Sequence, residues 1–466
     1  MSFAVMAPLM FAGLVAFLLL GYPVAFALAA NGLLFAIIGI QSGFFDLTLM
    51  QALPERVYGI VTNPTLLAIP FFTFMGLVLE RSGMAEELLD TVGQLFGRVR
   101  GGLAFAVVIV GALLAATTGV MAATVIAMGL ISLPIMLRYG YDKRLASGVI
   151  TASGTLAQIV PPSIVLIVLA DQLGASVGDM YAGALAPALV LAGMYLCYVV
   201  GVTLVKPAAA PALPEKARSL RGAALVRRVV VSLIPPLVLI FLVLGTIFLG
   251  IATPTEGGAL GAAGALVLAA LRKRLTMDVA RQAMDSTARL TSFVIFILIG
   301  STVFSLVFRG VDGDLWVEGL LTQLPGGAIG FLIVVNLLVF ALAFFLDFFE
   351  IAFIVVPLLA PAAAALGIDP IWFGVLLGIN MQTSFLHPPF GFALFYLRSV
   401  APKSIRTADI YWGAVPFVGL QILMVAIVII FPEIVGHASI VTESGIVEVP
   451  VESDPGAGYL LPPEWR

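Results

Sequence analysis

Two carboxylates, Asp347 and Glu350, lie inside an apolar run. A polar cluster that includes Asn380, Gln382, Thr383, Ser384 and His387 stands directly before Pro388-Pro389 in a second one. Proline has no N–H and disfavours helix in the residue before it, so the pair ends its helix and leaves carbonyls ahead of it without partners. In lipid such carbonyls are tolerated only where protein buries them or where they line a cavity. Carboxylate, hydroxyl and carbonyl oxygens together are the donors a hard cation takes. The chemistry they point to is cation binding, with Asp347, Thr383 and Ser384 as the ligand candidates. The structural alternative for Asp347 is a packing acid paired with an arginine. Glu350, three residues on, can be a second ligand, a proton carrier or an acid at an aqueous face. Asn380 and Gln382 either join the site or satisfy backbone that the prolines free.

The same landmarks occur earlier in the chain. Pro134 and Pro361, Asp142 and Asp369, and Pro161-Pro162 and Pro388-Pro389 are each separated by 227 positions. Three landmarks at one offset identify an internal duplication, and the match extends outward to Pro187 and Pro416 with a slip of two residues. Thr155 and Gln158, ahead of Pro161-Pro162, are then the counterparts of the later polar cluster. Interrupted helices at matching places in two halves mark the binding site of a transporter.

Positioning these residues requires a membrane. The chain is 61% hydrophobic and 11% charged with a mean hydropathy of +1.14, a balance that soluble domains do not use. A net charge of −3 gives no reason to expect nucleic acid. The single cysteine, Cys197, excludes internal disulfides and thiolate clusters and reads as a small packing residue. The second histidine, His437, lies far from His387 in the tail, which argues against zinc. The first apolar run has no basic start and is followed by further spans, so it is expected to stay in the chain.

Runs of spanning length cover roughly 3–20, 23–40, 64–80, 145–170 and 183–205, then 229–250, 256–271, 290–308, 371–397 and 410–431. Residues 41–58 read as an interfacial arm. Runs 103–137 and 328–360 fit helical hairpins whose tips hold Thr117-Thr118-Gly119 and Asp347, residues suited to burial in protein rather than lipid. Thr117 and Thr118 either serve the site or bond back to their own helix. Arg98, Arg100, Arg138, Lys143 and Arg144 flank the first hairpin and place its ends inside. Asp312, Asp314, Glu318 and Asp369 flank the second and place its ends outside, so the halves are inverted. The expected fold is an all-α polytopic membrane protein of two inverted repeats, 1–205 and 229–432. Each has about five transmembrane helices and one re-entrant hairpin. A basic cytoplasmic linker at 206–228 joins them, and an acidic periplasmic tail follows at 433–466. Glu256, at the start of a span, reads as a cap.

With these residues in view, the chain resembles the large membrane subunit of TRAP (tripartite ATP-independent periplasmic) transporters, of DctM type, over about 5–432. The resemblance rests on Leu66-Leu-Ala-Ile-Pro-Phe-Phe72, Gly250-Ile-Ala-Thr-Pro-Thr-Glu256, Gly367-Ile-Asp-Pro370 and the two Pro-Pro segments. It implies a sodium-coupled importer of an organic acid in the bacterial inner membrane, with elevator-type scaffold and transport domains. It also implies two partners, a separate four-helix membrane subunit and a periplasmic binding protein that delivers substrate. No cofactor is expected beyond sodium as coupling ion. Where many relatives have a Ser/Gly-rich first tip, this chain has Thr117-Thr118-Gly119, and its second tip carries the extra acid Glu350. The candidate sites read from the residues are Thr117, Thr118, Gly119, Thr155, Gln158, Pro161 and Pro162 in the first half. In the second they are Asp347, Glu350, Asn380, Gln382, Thr383, Ser384, Pro388 and Pro389. Two rivals are a carboxylate transporter of the same superfamily that needs no binding protein, and an intramembrane enzyme using Asp347 with Glu350. The enzyme lacks any nucleophile–base pair, a channel has no use for two occluding hairpins, and no G-x-x-x-x-G-K-[ST] motif supports ATP drive.

Overall fold

The computed structural model describes residues 3–119, 121–217, 222–344, 346–388 and 391–436. These residues form helices joined by short turns, without a strand. Two apolar helices, α1 (Phe3–Leu19) and α2 (Val24–Gln41), lead into short α3 (Thr48–Gln51) and α4 (Leu53–Val61), which occupy the expected arm. Next come α5 (Ala68–Arg81) and an amphipathic α6 (Met84–Leu95) that hydropathy did not single out. The first hairpin is α7 (Gly102–Thr118) and α8 (Met121–Arg138), turning at Gly119 with φ +56. Only glycine adopts that backbone freely. A broken helix follows, α9 (Lys143–Thr155) and α10 (Ile164–Leu173), and then the long α11 (Val177–Val205).

The second half opens with α12 (Gly222–Phe248), α13 (Pro254–Leu271) and α14 (Met277–Gly310). Helices α15 (Gly313–Thr322) and α16 (Gly327–Leu342) meet at a bend of 114°. The second hairpin returns through α17 (Phe348–Glu350), a π-helical turn at Ile351–Val355 and α18 (Val356–Ala365). Another broken helix, α19 (Pro370–Met381) and α20 (Phe392–Val400), precedes the final span α21 (Thr407–Ile430). Eight of the described helices are long and apolar enough to cross a membrane. Side chains such as Phe241 and Leu204 are largely exposed on the outer faces, as a lipid-facing surface requires.

The duplicated landmarks occupy the same places in matching elements. Pro134 lies inside α8 and Pro361 inside α18, while Pro187 lies inside α11 and Pro416 inside α21. Asp142 caps α9 by accepting from the N–H groups of Arg144 and Leu145 at 2.9 and 3.0 Å. Asp369 caps α19 in the same way from Ile371 and Trp372, at 2.9 and 2.8 Å. Each cap satisfies backbone donors that the first turn cannot. Glu256 forms a capping box with Thr253 at the start of α13, as its position suggested.

Close packing holds the broken helices in the interior. A Cβ at Gly148 of α9 would stand 2.0 Å from the Gly413 carbonyl of α21, so only glycine allows this approach. Cys197 corrects its sequence reading: it is exposed. The buried stripe of α11 runs through Leu191, Tyr195 and Val199 at steps of four, and Cys197 falls on the other face. The linker is described except for 218–221, and of the acidic tail residues 437–466 lie outside the described residues.

Candidate functional site

The two hairpin tips, the first helix break and the start of α20 line a half-open cavity of about 390 Å³ against α14. That volume falls within the range of small-molecule sites. The first hairpin contributes Gly119, Met121 and Ala122, and the second Asp347, Phe348 and Phe349. Gln158, Ile164 and Val165 come from the first break, Phe385, Phe392 and Tyr396 from around the second, and Leu290 and Phe293 from α14. The wall is mainly aromatic and aliphatic, with the Gln158 amide, the Asp347 carboxylate and the Tyr396 phenol as its polar groups.

Asp347 is held there by the local sequence. Its Oδ1 accepts from the Glu350 N–H at 2.8 Å, and its own N–H donates to Glu350 Oε2 at 2.9 Å. The pair forms a reciprocal capping box that starts the returning arm of the hairpin. Each acid keeps a second carboxylate oxygen outside this exchange. The described ion pairs involve neither residue, so the tip holds two carboxyl groups without a cationic partner among them. The packing-acid alternative therefore lacks its arginine. Glu350 does not line the cavity; its position in the box gives it a part in shaping the tip.

At the breaks the hydroxyls turn back on their own helices. Thr383 Oγ1 donates to the Asn380 carbonyl at 2.7 Å and Ser384 Oγ to the Met381 carbonyl at 2.6 Å. Thr155 Oγ1 donates to the Ala152 carbonyl at 2.8 Å and Thr117 Oγ1 to the Leu114 carbonyl at 2.9 Å. These bonds use the hydroxyl protons and leave oxygen lone pairs available. Asn380 Nδ2 instead reaches across to α16, donating to Asn336 O and Oδ1 at 2.7 and 2.9 Å. Pro161 and Pro162 are buried and joined by a cis bond, and Pro388 is half-buried. His387 packs against the rings of Phe340 and Phe344, at centroid distances of 4.4 and 4.1 Å.

The two breaks meet directly. Gln382 Nε2 donates to the Thr155 carbonyl at 2.6 Å, joining positions 227 apart in the chain. That is the same spacing that separates Pro161-Pro162 from Pro388-Pro389. Gln421 Nε2 of α21 donates to Thr155 Oγ1 at 3.2 Å and to the Tyr195 hydroxyl at 2.9 Å. The acceptor oxygens Gln382 Oε1 and Gln421 Oε1 are buried here without a hydrogen-bond donor among the described residues.

The sequence candidates thus fall into groups. Gly119, Gln158 and Asp347 share the cavity, Thr155 and Gln382 share the buried network, and Asn380 pairs with Asn336. Thr383 and Ser384 are buried and do not line the cavity beside Asp347. The side chain of Thr118 and the whole of Pro389 lie outside the described residues. Sequence reasoning missed Leu290, Phe293, Phe349, Phe385 and Tyr396 on the cavity wall, and Tyr195, Asn336 and Gln421 in the polar contacts. Gln421 and Asn336 carried a signal, each being an amide inside a long apolar run. The aromatic residues carried none.

Comparison with known proteins agrees with this architecture. The chain is 31% identical over 445 residues to the C4-dicarboxylate TRAP transporter large permease protein DctM of Vibrio cholerae, covering 91% of this chain and 95% of that one. It is 28% identical over 424 residues to the sialic acid TRAP transporter large permease protein SiaM of the same organism, covering 90% and 95%. Among solved structures, the YdaH transporter of Alcanivorax borkumensis superposes with a TM-score of 0.60 at 16% identity, over 83% of this chain and 90% of that one, a likeness of fold alone. Residues 11–434 match the family described as the tripartite ATP-independent periplasmic transporter, DctM component. A multi-pass protein of the inner membrane, and a transporter subunit rather than an enzyme, the chain belongs to the DctM family of TRAP transporter large permeases.

Proposed function

We propose that this subunit imports a small organic carboxylate by sodium-coupled, elevator-type alternating access, with the cavity of about 390 Å³ as the substrate site. One observation carries the reading: both hairpin tips and residues from both helix breaks converge on this cavity, with α14 closing its remaining side. In this reading the hairpins are re-entrant, and hairpins and broken helices move together against a scaffold that includes α14. The halves 1–205 and 229–432 are inverted repeats. The bond between repeat-equivalent Gln382 and Thr155 supports this, because a residue reaches its own counterpart only near the axis relating two copies.

Sodium binds among the oxygens at the breaks, with Asp347 supplying negative charge at the tip. The lone pairs of Thr383 and Ser384 and the donor-free oxygens of Gln382 and Gln421 support this placement. Substrate arrives from a periplasmic binding protein, and a four-helix subunit covers part of the exposed apolar scaffold. A C4-dicarboxylate is the first substrate to test, given the 31% identical relative named for that class. Proteoliposomes containing the chain, the small subunit and the binding protein should take up labelled succinate at least about tenfold faster with an inward sodium gradient than without. Equal uptake with and without sodium would refute the coupling.

A further inference from the structure

A second cavity, of about 300 Å³, lies at the other end of α14, between that helix, the arm, the C-terminal end of α10 and Pro357 of α18. Its walls carry Arg56 from the arm and Arg309 from the last turn of α14, together with Asn63, Thr302, Ser305 and Asp171. None of the described hydrogen bonds or ion pairs involves the side chain of either arginine. Asp171, the cavity's one acid, already accepts from Asn63 Nδ2 at 2.6 Å and from Gln172 Nε2 at 2.9 Å. The lining is therefore net cationic, two guanidinium groups against one hydrogen-bonded carboxylate.

The position of these arginines is unusual for the chain. In the topology proposed above, the C-terminal end of α14, the arm and α15 face the periplasm. That side is otherwise acidic, with Asp312, Asp314, Glu318 and Asp369. Every other described lysine and arginine falls in an inner loop or in the inner part of a helix, before its apolar stretch begins or after it ends, as the positive-inside pattern requires. Among the described residues, the two external cations both line one cavity. Guanidinium is a planar fork of donors that matches a carboxylate bidentately, and hydroxyls and an amide beside it complete the pattern. Clefts lined by one sign of charge concentrate ligands of the opposite sign.

We propose that this cavity is an external anion site that receives the substrate's carboxylate before it reaches the central cavity. Helix α14 forms a common wall, with Phe293 on the central cavity and Ser305 on the outer one, about 18 Å apart at about 1.5 Å of rise per residue. The ligand class is a small mono- or dicarboxylate, and its identity as substrate rests on the function proposed above.

The test has two readouts on the purified complex of the chain with its small subunit. In the first, phenylglyoxal modification of each arginine is followed by peptide mass spectrometry with and without succinate, in the absence of binding protein. Succinate should slow modification of Arg56 and Arg309 at least about threefold, while exposed Arg281 at the inner end of α14 reacts unchanged. In the second, proteoliposomes with binding protein compare wild type with Arg309→Gln, Arg56→Gln and Arg309→Lys. Both glutamine variants should raise the half-saturating concentration of succinate-loaded binding protein about tenfold with maximal rate changed less than twofold, and Arg309→Lys, which keeps the charge but not the bidentate fork, should recover only part of the loss. Unprotected arginines, or protection by the binding protein but not by succinate, would overturn the assignment, as would glutamine variants with wild-type kinetics. Protection without any succinate uptake by the wild-type complex would refute the transport reading and leave the anion site standing.

Discussion

Replacing Asp347 with asparagine separates the charge of the second hairpin tip from its shape. The Asp347 Oδ1 bond to the Glu350 N–H, 2.8 Å, needs only an acceptor, and the Asp347 N–H bond to Glu350 Oε2, 2.9 Å, is made by backbone. Asparagine offers the same acceptor and caps helices about as well as aspartate, so the tip should keep its fold. What disappears is the one carboxylate on the wall of an otherwise largely aromatic and aliphatic cavity. At a separation of about 8 Å and an effective dielectric of about 20, a unit charge is worth about 2 kcal/mol to a cation, a general figure for charges at that range. Sodium activation of transport should weaken by about tenfold or more, since about 1.4 kcal/mol corresponds to a factor of ten. The assay is initial uptake rate against sodium concentration in proteoliposomes holding the full three-part system, with complex recovery checked by size exclusion. Asp347→Ala loses the cap as well and should also lower thermal stability by about 1 kcal/mol. A well-assembled Asp347→Asn complex with a wild-type sodium curve would remove the carboxylate from cation binding and leave it a cap alone.

Further outcomes follow from other contacts. Ser301 Oγ on α14 donates to the Phe353 carbonyl in the π-helical turn of the second hairpin, so Ser301→Ala removes a bond between parts that separate in the proposed elevator motion. A loss of about 1 kcal/mol should shift the equilibrium between inward and outward states about fivefold, measurable by distances between spin labels, and an unchanged distribution would contradict a latch there. Asp142→Ala and Asp369→Ala remove equivalent caps and should each cost about 1 kcal/mol in detergent melts, with asparagine restoring most of it; a neutral result at either would refute the equivalence. For topology, the exposed Cys197 is first replaced by serine. Cysteines at Arg100 and Arg144 should then label only from the cytoplasm and those at Leu315 and Gln323 only from the periplasm; labelling of both sets from one side would refute inversion.

Much of the architecture was legible because proline and charge act locally. Pro161-Pro162 and Pro388-Pro389 announce broken helices from the missing N–H alone, and their common spacing exposes the duplication. The hairpins were visible because Thr117-Thr118-Gly119 and Asp347 suit a tip buried in protein better than one facing lipid. The length of α14 was not: its first turns hold Asp278, Arg281, Asp285 and Arg289, so an apolar window begins only near residue 290, although the helix starts at Met277. Charge at the inner end does not stop a helix from continuing out of the membrane. Tyr195 and Gln421 were missed as a pair because they are 226 residues apart and meet only through packing of α11 near α21. For the same reason Phe293 and Tyr396, ordinary apolar-run residues in the sequence, could not be placed on one cavity. The capping role of Glu350 was readable in principle, since Asp-x-x-Glu is a helix-start pattern, but the pair drew attention as chemistry first.

The central claim is that substrate binds where the two hairpin tips meet α14. The most direct measurement is a density map of the complex with its small subunit in nanodiscs, saturated with sodium and succinate. Density for succinate should lie in the cavity bounded by Gly119, Gln158, Asp347 and Phe293 and should vanish when succinate is omitted. An empty central cavity in a complex shown to bind succinate, or succinate held elsewhere alone, would contradict the account.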